Sequence, residues 1–574
     1  MARNTFIIDE QTSAVVAPSL AAPIRPVVLV PFFSKKGYGE DNQLRFLKPG
    51  DLSKYGGIDY DHYGPHSILI QKVMESGATV LAQRLVNDGD LSANIICNVN
   101  HDDTVLTDFN YDLSLASGAG VADYSALVAA TDGELDVSTS AKVYPLFGLM
   151  YRAKGTGGND FSIRLIPNVD MTEYIGAQAY TLEIYDEGVK LYELTGTFTR
   201  QTFGESPLYF PDVIKSETEE FLMYVPEMTE MEAAVTSYIE EDWKYADIIT
   251  GSNDKMVINA GTDFSAISGI SLANGSVTGN IDGIKKITDN TVQTEMDTAL
   301  ISFYSGTTNP ELFNRLKYQI DLVIDPGYSV DVNKAIINTF LVNQNSVQFF
   351  ANMPKAINYA AAIASAVSTY SDVSGNTAVH MMGSYFSYFS PYTSRFTEEP
   401  ATLFATDKII NSFVEGIPFA GIENIKVVGY EKLLPSVFSK TEIDEFIKYR
   451  VNMFAETGIG VARPESEMTY RLNVIGPLSY SSNRVILNDM MKTADKMAER
   501  NLFSSNFDYN KYAQDLKNLY QLNYKSKLAY VEVVAKRKGG NGLDQNNTAV
   551  TITVQFAGST DGFEHTFVIN KLEQ

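Results

Sequence analysis

The chain has 574 residues, 44% hydrophobic and 11% aromatic: too long for one hydrophobic core and apolar enough for several. With 70 Asp and Glu against 45 Lys and Arg its net charge is −25, which excludes nucleic-acid binding through the overall field and leaves only local basic patches. A single cysteine, Cys97, excludes an intrachain disulfide framework, and no apolar run approaches the ~18 residues that span a bilayer.

At the N-terminus, Met1-Ala2-Arg3-Asn4-Thr5 lacks the basic-then-apolar layout of a signal peptide, so synthesis and folding are expected in a cytoplasm. Thr5-Phe6-Ile7-Ile8 is a short strand pattern, and the Pro-Ala stretch from Ala17 to Pro23 reads as a stiff linker, since proline blocks helix formation. The next block, Val27–Val86, begins with the apolar strand Val27-Val28-Leu29-Val30-Pro31-Phe32-Phe33. A glycine loop without a phosphate-binding signature follows (Lys36-Gly37-Tyr38-Gly39), then the turn Leu52-Ser53-Lys54-Tyr55-Gly56. A helix is predicted from about Ser67 to Ser76, ending at Gly77, and a strand from Ala78 to Val86 that closes on Arg84-Leu85-Val86.

From Asn98 to about Gly283 the pattern changes to short alternating segments such as Phe161–Ile166 and Tyr180–Tyr185, separated by Asp, Gly and Asn turns. The α/β pattern then resumes. A helix near Thr294–Ser302 leads to the strand Ile320–Ile324 and the turn Asp325-Pro326-Gly327. Next come a helix carrying Val332, Ala335, Ile336, Thr339 and Phe340, the strand Val347–Phe350, the helix Ala360–Val367 and the strand Ala378–Met382. Such alternation implies a largely parallel sheet with helices on its faces. Beyond about Ser394 two helices stand out, Ser482–Arg500 and Asn510–Asn523. They are followed by the strands Ala529–Val534 and Ala549–Val554 and by an isolated strand pattern, Phe563–Ile569.

The expected fold class is therefore α+β and multidomain. An α/β core (21–97 with 284–393) carries an inserted β-rich outer domain (98–283), a C-terminal α+β domain (394–561) and extended strand arms at both ends (1–20 and 562–574). Tyr is frequent, 33 residues; it suits surfaces buried on assembly, and it is equally common in β-rich domains.

Catalytic signatures are missing. There is no G-x-x-x-x-G-K-[ST], no G-x-S-x-G and no H-E-x-x-H. His62 and His66 are four apart, but Gly64-Pro65 interrupts any helix that would bring them together. His101 beside Asp102 and Asp103 reads as a solvated turn, and Gly155-Thr156-Gly157-Gly158 as a tight turn with no lysine or helix start after it. No catalytic, cofactor-binding or metal-binding residue is expected, and no enzymatic activity.

The order of the Val27–Val86 block resembles the opening of contractile-tail sheath proteins. The stretch Lys154-Gly155-Thr156-Gly157-Gly158-Asn159 is similar to that family's glycine–x–x–glycine–asparagine entry into a strand. Ile320–Pro326, the helix around Asn333 and Phe349–Pro354 are similar to its middle section, and Arg484 to Asn570 resembles its closing order of long helix, shorter helix, strand, loop, strand and arm. Two departures stand out: Arg484 stands alone where the family often has adjacent arginines, and Gly460-Val461-Ala462-Arg463 lacks the family's tryptophan. The resemblance implies a homo-oligomer of stacked hexameric rings around a tail tube protein, meeting baseplate and tail terminator proteins. The assembly would form part of a virion, put together in the host cytoplasm, without direct nucleic-acid contact, membrane insertion or cofactor. The alternative from another class is a secreted or surface protein that binds or processes carbohydrate, or an adhesin, with a β-rich domain.

Within the sheath reading, the inter-subunit arm strands are Phe6, Ile7 and Ile8 at one end and Phe563, Phe567 and Ile569 at the other. An isolated strand must add to a sheet edge to satisfy its backbone. The edge expected to receive it carries Val531, Val533, Val550 and Ile552. Each arm could equally fold back on its own subunit. On the helix Ser482–Arg500, Ile486, Met490, Ala494 and Met497 form an apolar stripe, with Lys492, Lys496 and Arg500 at four-residue spacing beside it. That basic strip is the candidate tube contact; ordinary solvation of a helix end explains it as well.

Overall fold

The computed structural model describes residues 25–39, 41–87, 89–102, 111–116, 120–131, 141–175, 179–198, 200, 202–204, 206–226, 270–271, 286–315, 317–373, 375–415, 419, 426–436, 439–458, 460–470, 476–502, 507–538 and 547–557. The chain divides into two compact units: residues 1–30, 72–81 and 304–574, and residues 31–71 and 82–303.

The first unit is built on a sheet in which Thr79–Arg84, Val27–Phe32, Leu322–Ile324, Gln348–Asn352, Val379–Met382 and Val451–Asn452 lie side by side in that order. From Val27–Phe32 onward the pairings are parallel, with Val28 opposite Leu322, Val323 opposite Phe349, Phe350 opposite His380 and Met381 opposite Val451. These strands are short and apolar almost throughout, and nearly every residue is buried, as expected when helices cover a parallel sheet. Helices occupy Val330–Asn343, with a wide π-turn over Ile336–Phe340, and Tyr359–Ser368. The parallel alternation read from the sequence is thus present, with boundaries moved by one to four residues.

Asp325 explains why the third of these strands stops. Its carboxylate accepts from the backbone N–H of Gly327 (2.7 Å), Tyr328 (2.5 Å) and Asn352 (2.9 Å) and from the Asn333 amide (2.9 Å). Complete burial pushes this carboxyl upward, against those four donors, which favour its ionised form. Gly327, at φ 121°, supplies the backbone conformation that a side chain would resist.

The second unit contains two four-stranded antiparallel sheets. One has the order Phe221–Tyr224, Ala141–Lys154, Ser92–Asp102, Tyr111–Ala116; the other Ile270–Ser271, Phe161–Pro167, Tyr180–Asp186, Val189–Gly196. Ile95, Phe147, Leu149 and Tyr151 from the first and Ile163, Leu165, Leu182 and Ile184 from the second share one core. Cys97 lies buried in that core, which pushes its thiol up to about 12 and leaves it inert as a nucleophile.

The glycine loop after Val27–Phe33 packs against protein. The buried Arg84 guanidinium gathers it in, donating to the carbonyls of Ser34 (2.9 Å) and Lys154 (3.1 Å) and pairing with Asp41 (2.7 Å). Gly37 N–H donates to the Tyr151 hydroxyl (3.0 Å), and Lys35 pairs with Asp160 (2.7 Å). Thr156–Asp160 forms one 3-10 turn where the sequence predicts a tight turn, and a Cβ on Gly157 would collide with the Lys35 carbonyl. The two histidines at 62 and 66 fall on separate helices, Tyr60–Tyr63 and His66–Glu75, interrupted at Gly64-Pro65 as expected.

Candidate assembly surface

The C-terminal part of the first unit holds the residues that the sequence points to. The helices Ser481–Arg500 and Tyr509–Asn523 lie under an antiparallel hairpin, Leu528–Arg537 paired with Thr548–Phe556. Ile486, Met490 and Ala494 from the long helix, Tyr512, Leu516 and Tyr520 from the second, and Val531 and Val533 from the hairpin form the core of this layer. Met497, Val550 and Ile552 pack against it half-buried. The expected apolar stripe on the long helix is therefore the one that is buried. Two tyrosines fasten the helices together, Tyr520 donating to the Met490 carbonyl (2.8 Å) and Tyr524 to the Asp489 carboxylate.

Val531 and Val533 sit opposite Val554 and Ile552, and Ala535 opposite Val550, so these side chains all turn to the helices. Tyr530, Val534 and Thr551 take the opposite face and are exposed. Among the described residues the sheet has two strands only, so each strand has one flank with no neighbouring strand. Such a flank offers alternating N–H and C=O groups to an added strand. The arm residues Phe6, Ile7, Ile8, Phe563, Phe567 and Ile569 lie outside the described residues.

One expectation fails. Lys492 is not on an exposed strip; it is 8% exposed. Its ammonium donates to the Ile320 carbonyl (2.6 Å) and pairs with the Asp321 carboxylate. The other Asp321 oxygen accepts from Val27 N–H (2.7 Å), so Lys492 anchors the helix to the middle of the parallel sheet. The reason is geometric. Four-residue spacing on a 3.6-residue helix drifts about 40° per step, so residues eight apart face directions about 80° apart. The helix is also buried on more than one side up to Asp495, with Ser481, Arg484, Asn488 and Met491 enclosed. Beyond Asp495 Met497 still packs on the core, while Lys496, Glu499 and Arg500 turn to solvent. The sequence carried part of the signal: Asp321 is an acid inside the apolar run Ile320–Ile324, and an enclosed carboxylate must be met by a cation or by hydrogen-bond donors, though which one the sequence does not say.

Arg484 is buried as well, donating to Thr377 Oγ1 (3.0 Å) and the Asn345 carbonyl, and burial lowers it to about 10. Residues 481–557 carry eleven Lys and Arg against seven Asp and Glu, a local excess of +4 in a chain of −25. Lys496, Arg500, Lys511, Lys525, Lys536, Arg537 and Lys538 are exposed. The arrangement offers hydrogen-bonding strand edges and positive charge. Among the described residues no group of three or more His, Cys, Asp and Glu could hold a metal ion, and no helix is long and apolar enough to cross a membrane.

Neither a protein-family model nor a curated protein sequence matches the chain. Solved structures do. The sheath tail protein Lin1278 from Listeria innocua superposes with a TM-score of 0.50 at 10% identity, covering 94% of this chain and 96% of that one. A sheath tail protein from Desulfitobacterium hafniense covers 96% and 100% with a TM-score of 0.44 at 11% identity. The PVC sheath complex of an extracellular contractile injection system, in its contracted state, covers 48% of this chain and 80% of its own, at 12% identity and a TM-score of 0.36. The resemblance carried by Val27–Val86 and the closing helix–strand order extends to three dimensions: over nearly its whole length the chain has the fold of the Listeria sheath tail protein.

Proposed function

We propose that this protein is the structural subunit of a contractile tail sheath. Copies polymerise as stacked hexameric rings around a tail tube, between baseplate and terminator proteins. Contraction of the sleeve drives the tube through a target cell envelope. The observation that carries this reading is the shared fold. The two-stranded sheet, each strand with one flank unpaired among the described residues, supports it, because a strand from a neighbouring copy can extend that sheet. Backbone hydrogen bonds contribute about 1 kcal/mol each and ordering a residue costs about 1–2 kcal/mol, so an added arm is held by its apolar side chains. Phe6, Ile8, Phe563, Phe567 and Ile569 would supply about 1.5–3 kcal/mol each when buried. The tube is met by Lys496 and Arg500, exposed near the C-terminal end of the long helix. Exposed ion pairs of about 0–1 kcal/mol, screened by salt, let a sleeve slide while it contracts. The stored energy resides in the lattice, so the subunit performs no chemistry.

Negative-stain imaging of the purified chain tests the proposal. Rings or long sheath-like tubes are expected, formed without nucleotide and unaffected by a chelator. A stable monomer at high concentration, or one that binds glycans, would overturn it, and loss of assembly on chelation would overturn its metal-free mechanism.

A further inference from the structure

The hairpin Tyr385–Ser390 and Arg395–Pro400 ends in two phenylalanines that stand more than half in solvent. Phe389 and Phe396 stand directly opposite each other, their rings packed edge to face at 5.6 Å, and they are 55% and 62% exposed. The other face of the same hairpin is occupied: Phe386, Tyr388 and Ser390 are buried, with Phe386 stacked on Phe404. The exposed pair therefore lies on the opposite face, which is open at this end of the hairpin; the next row along it is Ser387, already buried, between exposed Glu398 and Lys432. Glu398 is already paired with Lys355. Among the described residues Arg395–Pro400 is also the outermost strand of a three-stranded sheet, and it carries Arg395, Glu398 and Pro400, the residue types that discourage strand addition at an edge. What this hairpin offers a partner is an aromatic knob, not a backbone edge.

We propose that the Phe389–Phe396 knob is a contact between copies of this chain in the assembled polymer. The occupant follows from its size. With a whole Phe at roughly 200 Å², the exposed parts of the two rings come to roughly 230 Å². A partner bound by itself needs about 1,200–2,000 Å² of total buried surface, several times what this knob and its complement bury. The knob is useful where another interface already holds the partner beside it, so that its burial adds to an existing contact. In a polymer of one chain that condition is met at every subunit, and the occupant is a second copy. The inference rests on the sheath reading and adds to it a contact outside the terminal arms and the C-terminal hairpin.

The test uses the full chain and the variant F389S/F396S. Both side chains are exposed, so the subunit's melting temperature is expected to stay at the parent value, while the critical concentration for polymerisation rises about 10-fold or more, equivalent to about 1.4 kcal/mol per subunit. A second variant, F389L/F396L, keeps most of the apolar area and is expected to polymerise within about 3-fold of the parent, on the same conversion. If the parent polymerises and F389S/F396S does so at the same concentration, this inference is wrong and the sheath reading stands. If the parent forms no polymer, the sheath reading falls and the inference with it. A variant that polymerises alone like the parent but fails to dress tube protein would assign the knob to the tube, and a variant whose melting temperature drops would assign it to the subunit's own fold; both outcomes overturn the proposal.

Discussion

Single residues in this protein are decided by what surrounds them in the fold. Lys492 and Lys496 are four apart on one helix, yet one is sealed against Asp321 and the other is in solvent. Lys492→Met strands a carboxylate that is mostly enclosed, and a loss of about 3 kcal/mol is expected. Lys496→Met should stay within about 0.5 kcal/mol. Denaturation midpoints of the unassembled subunit compare the two, and equal effects would contradict the assignment. The buried histidines give a second prediction. Burial pushes His66 down to about 4 and His380 to about 3, from the ordinary 6.5. Between those values the unfolded chain binds more protons than the folded one. Stability from these groups is therefore complete above about pH 6.5 and falls as the pH drops towards their folded values. Down to about pH 5, above most carboxylate titration, each histidine withdraws about 2 kcal/mol. The denaturation midpoint of His380→Gln should therefore depend less steeply on pH in that window; an unchanged slope would show that His380 is not held neutral.

Elements show the same division between local pattern and context. The two C-terminal helices and the hairpin follow from periodicity: apolar residues at helical spacing on Ser481–Arg500, alternation on Leu528–Arg537 and Thr548–Phe556. Their packing puts Val531, Val533, Val550 and Ile552 on the helix side, so the proposed partner strand would add along the backbone flanks that have no neighbouring strand among the described residues. Deleting Met1–Glu10 or Phe563–Gln574 is predicted to leave a subunit with unchanged circular dichroism and melting temperature that no longer forms long sheaths. Normal polymerisation of either truncation would exclude strand exchange by that arm.

For the whole molecule the decisive quantity is charge distribution. A chain of −25 carries +4 over residues 481–557, which concentrates attraction for an acidic surface in one region. Exposed Lys496 and Arg500, at the C-terminal end of a 20-residue helix, belong to it. Reversing both to Glu is predicted to abolish extended assembly on tube protein while tube-free polymers still form. Added salt should weaken parent assembly on the tube in the same direction. Undiminished extended sheaths from the double reversal would remove these residues from the tube contact.

What the sequence determined alone is whatever depends on neighbours within a few residues. The alternation of strands and helices around Asp325-Pro326-Gly327, the Gly64-Pro65 break between the histidines and the buried stripe Ile486–Met490–Ala494 belong here, because hydrophobic period and turn chemistry are local. The order of those elements was enough to carry the resemblance to sheath proteins. Only the tertiary structure decided what long-range pairing controls. Arg84 collects the carbonyls of Ser34 and Lys154 from segments far from it in the chain, and Asp321 selects Lys492 across 171 positions. Spacing on one helix cannot reveal which of its sides a distant sheet will cover. That is why a strip of three basic residues became two, and why an exposed aromatic knob came to light in a hairpin with no sequence signature of its own.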